Sequence, residues 1–390
     1  MSCCLFVHDF RSYTYKGKTY STNLSYEILR TRYLSHFDEL RMLNRTKYVD
    51  VDPSDKMVLS SGDGVLFLNK IDFFSGVDFL IEYRKYKKIV KKEVEKADFV
   101  IIRLDSFLGI IAAKECSNLH KKYLVEVAGC VWDSFWNKGI SGKIVAPFLF
   151  SEMKRTVKNA PFVIYVTKKF LQGRYPTNGK SIACSNVMLP DIDYNAVYKK
   201  REKHINSKKE KIVLATIGSV EVPYKNQETV IKVLGILKKR GKTNYKYKLI
   251  GSGDSSRLEN IAKKSNVEEE IEFVGSVNHK EINSILDEVD IYIQPSKQEG
   301  LPRSLIEAMS RGCLCIGSDV AGIPELLETK YIFTIKNELE ELTNILDNYS
   351  VEAAIDQSKR NIDNSKEYLS SILENRRYDF IEIAKGSGNI

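Results

Sequence analysis

Short apolar runs alternate with longer stretches of helical spacing along the whole chain, the pattern of an α/β protein with parallel sheets. In the first half, residues 3–7, 58–68, 99–104, 123–127, 162–166 and 182–188 read as strands, the second of them broken by Ser61-Gly-Asp-Gly64. Helical spacing predicts helices over 26–43, 79–96, 107–116 and 168–174, the last capped by Thr167. Residues 8–20, rich in Tyr, Lys and Ser and carrying Gly17, are expected to form the first loop at the carboxyl edge of the sheet. Residues 128–136, with Trp132, Asp133 and Trp136, read as an irregular pocket wall or a wall of the core. The stretch 194–211 is highly charged and poor in large apolar residues, so it is the expected domain boundary. Beyond it come strands at 211–217, 247–250, 271–274, 291–293 and 313–316. Helices are predicted at 227–239, 281–288, 338–349, 351–364 and 366–384.

The most informative stretch is 290–327, DIYIQPSKQEGLPRSLIEAMSRGCLCIGSDVAGIPELL. Pro295 and Ser296 stop a buried strand, and a polar loop runs to Gly300. Pro302 suits the first position of a helix, where its missing N–H has no partner to lose. Leu305, Ile306, Ala308 and Met309 give that helix an apolar side, and Arg311 and Gly312 close it. Two carboxylates sit on this unit. Glu299 is in the loop at the carboxyl end of the strand, where open α/β sheets bind ligands. Glu307 lies one to two turns into the helix. The amides at Gly300 and Leu301, with the helix N-terminus, form an anion site between them. Carboxylates are good acceptors for vicinal hydroxyls, so a sugar nucleotide fits the set. The plain alternative for Glu307 is a solvated residue, or one paired with Arg303 or Arg311 at four-residue spacing.

Glu299, seven residues, then Glu307, within PSKQEGLPRSLIEAMSRG and followed by SDVAGIPELL, resembles the nucleotide-sugar signature of glycosyltransferase family 4. The match is long in the C-terminal half and weaker in the N-terminal half. The resemblance implies the GT-B fold: two Rossmann-like domains facing across a cleft, with the C-terminal helix crossing back to the N-terminal domain. Residues 1–194, joined by helix 366–390, would bind the acceptor, and 195–365 the nucleotide sugar. The reaction would be retaining transfer of a sugar to a hydroxyl of a glycan or lipid-linked acceptor in surface-polysaccharide synthesis. The resemblance makes Lys225 the contact to the donor diphosphate, Glu299 the contact to the donor sugar, and Glu307 the holder of the ribose hydroxyls. Gly251 and Gly253 match the family's GxG turn, and Gly275 follows the strand near which the base sits. Gly218 is followed by Ser219 where the family usually has an arginine. No histidine follows strand 123–127, where many members carry one, which leaves Glu126 and Asp133 as the nearest carboxylates. Gly17 and Lys18 of the first loop, with Trp132 and Asp133, are the expected acceptor-side residues, and Glu126 the catalytic candidate of that half. A nucleotide-sugar epimerase of the same fold, or a non-catalytic donor-binding subunit of a transferase complex, are the alternatives.

Composition narrows this further. A chain of 390 residues, 43% apolar and 28% charged, is long enough for two globular domains. No run approaches a membrane span, and the N-terminus lacks a basic region and a long apolar core. Seven cysteines, mostly inside apolar runs, suit reduced thiols in a cytoplasmic protein. Neither Cys3-Cys4 nor Cys313-Leu-Cys315 has zinc-ligand spacing. Asp50-Val-Asp52 and Asp191-Ile-Asp193 recur too easily by chance to mark a metal, so neither metal nor other cofactor is expected. A net charge of +9 points to an anionic partner, and no motif points to nucleic acid. Helix 79–96 carries Lys and Arg on most of its surface; the plain reading is a solvated face. The sharper one is a peripheral contact with an anionic membrane on its inner side.

Overall fold

The computed structural model describes residues 2–22, 24–136 and 139–386. The chain divides into two compact units, Met1–Cys184 with Glu374–Ile390, and Ser185–Leu373.

Among its described residues unit 1 holds nine strands: β1 (Cys3–Tyr15), β2 (Lys18–Ser21), β3 (Glu39–Tyr48), β4 (Val58–Leu59), β5 (Val65–Phe67), β6 (Phe99–Leu104), β7 (Tyr123–Val127), β8 (Phe162–Tyr165) and β9 (Lys180–Ala183). Seven run parallel in the order β5-β3-β1-β6-β7-β8-β9, while β2 and β4 add an antiparallel ribbon beside the far half of β1. Sheets of this type are covered on both faces, which is why β6, β7 and β8 read as nearly unbroken apolar runs. Cys4, Leu5, Phe6 and Val7 are wholly buried at the centre.

The expected first loop is a strand and hairpin. β1 shifts register between Val7 and Arg11, continues to Tyr15, turns through Lys16 and Gly17, and returns as β2. Its small hydroxyl side chains are buried and satisfy one another: Ser12 with Thr46 at 3.1 Å, Thr14 with Thr19 at 3.2 Å, Ser60 to Ser21 at 2.9 Å. Stretch 26–43 is α-helical only over Tyr26–Arg32, adds a 3-10 turn at Leu34–His36, and from Glu39 becomes β3, which pairs with β1 and β5. The sheet overrides a spacing that fits both structures. Residues expected to be irregular form the helix Val131–Trp136, stapled by Trp132 stacked on Trp136 four residues on. A helix unforeseen in the sequence, Gly139–Asn159, follows. From Glu374 the last helix, Ser370–Gly386, belongs to unit 1. It buries Arg377, Phe380 and Ile381, and pairs Glu374 with Arg32 and Glu382 with His36.

Unit 2 is a six-stranded parallel sheet: β10 (Ile212–Ile217), β11 (Tyr245–Ile250), β12 (Ile271–Gly275), β13 (Ile291–Gln294), β14 (Leu314–Ser318) and β15 (Ile332–Phe333). The order is β12-β11-β10-β13-β14-β15, so the winding direction reverses between β10 and β13. There the connections leave to opposite sides and open a crevice at the carboxyl ends of the strands. The charged stretch expected as the boundary begins with the helix Tyr194–Ile205, which is part of unit 2. Its buried positions Tyr194, Val197, Arg201 and Ile205 follow helical spacing. Arg201 donates to the carbonyls of Arg311, Val289 and Leu286, at 2.7, 2.5 and 2.6 Å.

Candidate functional site

The switch point of unit 2 brings together the loop after β10 and the loop after β13. Lys225 ends the short 3-10 turn Pro223–Lys225, and its Nζ lies 2.6 Å from Glu299 Oε1. Both side chains are mostly enclosed, at 21% and 12% exposure, so the pair is a strong one but within reach of a ligand. Gln294, the last residue of β13, donates from Nε2 to the same Glu299 oxygen at 3.0 Å and to Ser296 Oγ at 2.8 Å. Its own Oε1 accepts from Tyr292 OH at 2.9 Å and from Ser304 Oγ at 3.2 Å. That fixes which end of the amide faces Glu299. The Lys297 N–H donates to the Tyr224 carbonyl at 2.7 Å, tying the two loops directly.

Glycines set the neighbouring loops backbone against backbone. Gly251 has φ +157°, and a Cβ there would lie 2.2 Å from the Gly218 carbonyl oxygen. Gly253 has φ +117°, and its Cβ would meet that of Glu221 at 2.6 Å. The Gly218 N–H donates to Ile250, Gly251 to Gly275, and Val220 to Ser252. Gly218, Ser219, Gly251, Gly253 and Gly275 thus line one edge, at the ends of β10, β11 and β12.

The helix Arg303–Ser310 begins one residue later than expected, with Pro302 as its N-cap, whose carbonyl accepts from Ile306. Among the described residues, neither the Gly300 nor the Leu301 N–H donates to another backbone group. The Gly300 carbonyl accepts from Gly322 N at 2.9 Å, anchoring this loop to the one after β14. Glu307 is buried and lines a cavity of about 350 Å³ with Met188, Leu189, Asn283 and Arg311. Arg311 is engaged by Asp287, through bonds of 2.6 and 2.8 Å.

Unit 1 arranges its candidates differently. Glu126, expected as a catalytic carboxylate, is a core residue. It lies opposite Arg103 on the adjoining strand, accepts from Arg103 Nε and Nη2 at 2.9 and 2.8 Å, and accepts from Tyr33 OH at 2.9 Å. Burial works against its charge, yet Arg103 and Arg377 outweigh burial and hold the carboxyl below its ordinary range. Gly17 and Lys18 are not in a loop at the sheet's edge but at the tip of the hairpin that extends β1. Trp132 packs against Trp136 and the edge of Phe150, and Asp133 pairs with Arg174 at 3.2 Å. Asp52 accepts from Ser54 N, and Asp193 caps the helix Tyr194–Ile205. Among the described residues no three His, Cys, Asp or Glu side chains gather as a metal site.

Two residues missed in the sequence stand out. Gln294 is one, hidden because a residue that orients another has no spacing signature. The other is His8, in β1 just past its pairing with β6 and inside the register shift between Val7 and Arg11. Its Nδ1 accepts from Phe10 N at 2.9 Å, which leaves the ring proton on Nε2. Burial, with Arg103 adding to it, lowers its pKa to about 3, so the ring is neutral. Its place directly after an apolar strand was the available signal.

Sheets wound in this order hold their ligands at the switch point. Comparison with known proteins agrees with that class. The sequence profile of Glycosyl transferases group 1 matches residues 198–385. Protein CapJ of Staphylococcus aureus is 34% identical over 374 residues, which cover 95% of this chain and 92% of CapJ. The chain belongs to the group 1 glycosyl transferases and is a glycosyltransferase. WaaG, a glycosyltransferase involved in lipopolysaccharide biosynthesis, matches the structure with a TM-score of 0.64 at 14% identity, over 98% of this chain and 100% of WaaG. HepE of Anabaena, in complex with UDP and glucose, gives 0.62 at 14% identity, over 97% and 99%. At such identities the likeness concerns the fold, which is that of GT-B glycosyltransferases.

Proposed function

We propose that this protein moves a sugar, with retention of anomeric configuration, from a nucleoside-diphosphate donor to a hydroxyl of a glycan or lipid-linked acceptor in cell-surface polysaccharide synthesis. The observation that carries the reading is the Lys225–Glu299 pair at the switch point of unit 2. A diphosphate drawn to Lys225 shares its charge with Glu299, and the amides at Gly300 and Leu301 add donors beside it. As the glycosidic bond breaks, negative charge grows on the leaving group, and fixed cations and N–H dipoles aimed at it lower the barrier. This takes the place of a divalent metal. Glu299, steadied by Gln294, meets the donor sugar, and Glu307 takes the ribose hydroxyls. Ser219, Gly251, Gly253 and Gly275 let the nucleotide approach the backbone closely.

Unit 1 serves the acceptor. With Glu126 committed to the core, His8, just past the pairing of β1 with β6, is a polar group that can offer a neutral Nε2–H to a sugar hydroxyl. HepE was solved with UDP and glucose, so a uridine nucleotide is the first donor to try. WaaG, a glycosyltransferase of lipopolysaccharide biosynthesis, favours by similarity a surface glycan as product. All seven cysteines are free, which suits the reducing side of the membrane. No helix among the described residues is long and apolar enough to cross a membrane. Contact with an anionic membrane through 79–96 is peripheral, through lysines held outward while Tyr86, Val90 and Val94 face inward. The test is a thermal-shift screen of nucleoside diphosphates, followed by transfer assays on lipid-linked acceptors with and without EDTA. A nucleotide is expected to raise the unfolding temperature, and transfer to survive EDTA. Donor turnover to an epimer without acceptor would replace this reading, and loss of activity in EDTA restored by manganese would replace its mechanism.

A further inference from the structure

Among the described residues, nine large apolar side chains are more than 60% exposed, and seven of them fall in two short stretches of unit 1. Phe74, Val77, Leu80 and Ile81 form the first; Ile140, Ile144 and Phe148 form the second. In the first, Phe79 of the helix Gly76–Ile81 is buried, so its neighbours Val77, Leu80 and Ile81 point away from the core. In the second, the spacing of four and four puts three side chains in one outward stripe of the helix Gly139–Asn159, while Ala146, Leu149 and Met153 turn inward. Aromatic rings join the stretches beneath: Phe79 lies 4.9 Å from Phe107, and Phe107 lies 6.1 Å from Phe135. Trp136, half-exposed, borders the second stripe with Lys143 over its ring. The two stripes are therefore neighbours on unit 1 and form a broken apolar ridge, on segments that follow β5 and β7.

Isolated exposed apolar residues are ordinary, but two neighbouring stripes that hold seven of them mark a surface that something covers. Its charge surroundings say what. Residues 139–151 contain no acidic side chain, and Lys143 is exposed within them. The helix Tyr83–Lys96 starts two residues after Ile81 and exposes Arg84, Lys85, Lys88, Lys91 and Lys92. The nearby acids are spoken for: Asp78 closes a capping box with Ser75, and Glu82 pairs with Lys85 at 2.8 Å. A second copy of the chain docked two-fold on this ridge would set lysine against lysine. An anionic bilayer offers apolar depth to the ridge and counter-charge to its flanks.

We propose that the ridge of Phe74, Val77, Leu80, Ile81, Ile140, Ile144 and Phe148 inserts into the headgroup–acyl boundary of an anionic bilayer, with the lysines of Tyr83–Lys96 steering from beside it. This rests on the reading that the protein meets an anionic membrane, and it moves the anchoring part of that contact from the basic helix to the apolar ridge. The test uses the full chain with vesicles of phosphatidylcholine alone and mixed with phosphatidylglycerol. The triple variant Leu80→Gln, Ile144→Gln, Phe148→Gln removes apolar surface without altering charge, and its exposed positions leave folding intact. A second variant replaces Lys85, Lys88, Lys91 and Lys92 by Gln. Nucleotide-induced thermal shift checks that each remains folded. The wild type is expected to sediment with anionic vesicles and to shift its tryptophan emission to the blue, since Trp136 borders the ridge. The ridge variant is expected to bind at least tenfold more weakly and to lose that shift. The lysine variant is expected to weaken mainly at low salt. Equal sedimentation of wild type and ridge variant overturns the placement and leaves the membrane reading standing. No sedimentation of the wild type at any salt overturns both. A dimer in solution that the ridge variant dissociates assigns the surface to a second copy and overturns the proposal.

Discussion

The carboxyl edges of the two sheets carry the same kinds of residue to opposite ends. In unit 2 a lysine and a glutamate meet in the loops beyond the strands, partly open, with Gln294 holding one of them in orientation. In unit 1 an arginine and a glutamate meet within the strands themselves, one register position from the edge, and the pair is closed off by Tyr33. A charge pair in a loop at a crevice can exchange its partner for a ligand. A pair between two buried strands cannot, because opening it would leave both charges without water or partner. Strand or loop position, more than residue type, separates chemistry from architecture in this molecule.

The largest expected effect is on stability. Glu126→Gln leaves Arg103 buried beside a neutral partner and is expected to cost about 3–5 kcal/mol of unfolding free energy. Activity per folded molecule is expected to stay near that of the wild type. Denaturant titration alongside active-site-normalised kinetics reads both, and a stable but inactive variant would return Glu126 to the reaction. Lys225→Met is the counterpart in unit 2. It is expected to lower kcat by about two orders of magnitude or more, with a smaller change in donor KM, because the charge it faces is greatest in the transition state. A rise in KM at constant kcat would make Lys225 a uniform binding contact. Glu307→Gln is expected to weaken nucleoside-diphosphate binding about 10–100-fold, through the loss of about 1–3 kcal/mol of charge-assisted hydrogen bonding. Calorimetry on the folded variant reads it, and unchanged affinity would remove Glu307 from the site.

The smallest effect concerns His8. Its pKa in the fold, about 3, lies below the unfolded value near 6.5. As pH falls below 6.5 the unfolded chain takes the proton first, so this residue lowers stability progressively down to about pH 3 and has no such effect above 6.5. His8→Gln, which keeps an amide donor, is expected to flatten the loss of stability between pH 7 and pH 5 relative to the wild type. Parallel slopes for the two proteins would show that His8 titrates as it does in water.

Much of unit 2 was legible because its strands are buried on both faces and punctuated by glycine and proline. The loop of Glu299 and the turn of Lys225 lie where strand ends were read. Unit 1 hid more. The Ser, Thr and Tyr residues of 8–20 looked like a loop, since a buried polar face is readable only when the partner hydroxyls are known. Residues 39–43 fit helical and extended structure alike, and only pairing with β1 and β5 decides between them. Glu126 sat in an apolar run with no sign of Arg103 opposite, because register is a property of two strands. Gln294 was invisible for a similar reason: its role lies in the four side chains around it.

The last helix has a consequence for synthesis. The chain leaves unit 1 after Cys184 and rejoins it at Glu374, so unit 2 is an insertion bounded on both sides by its host. Arg377, Phe380 and Ile381, which help to fill the host's interior, are translated only after the whole of unit 2. A ribosome therefore releases a finished guest before its host can close, and the earlier half of the gene waits for the later one to fold.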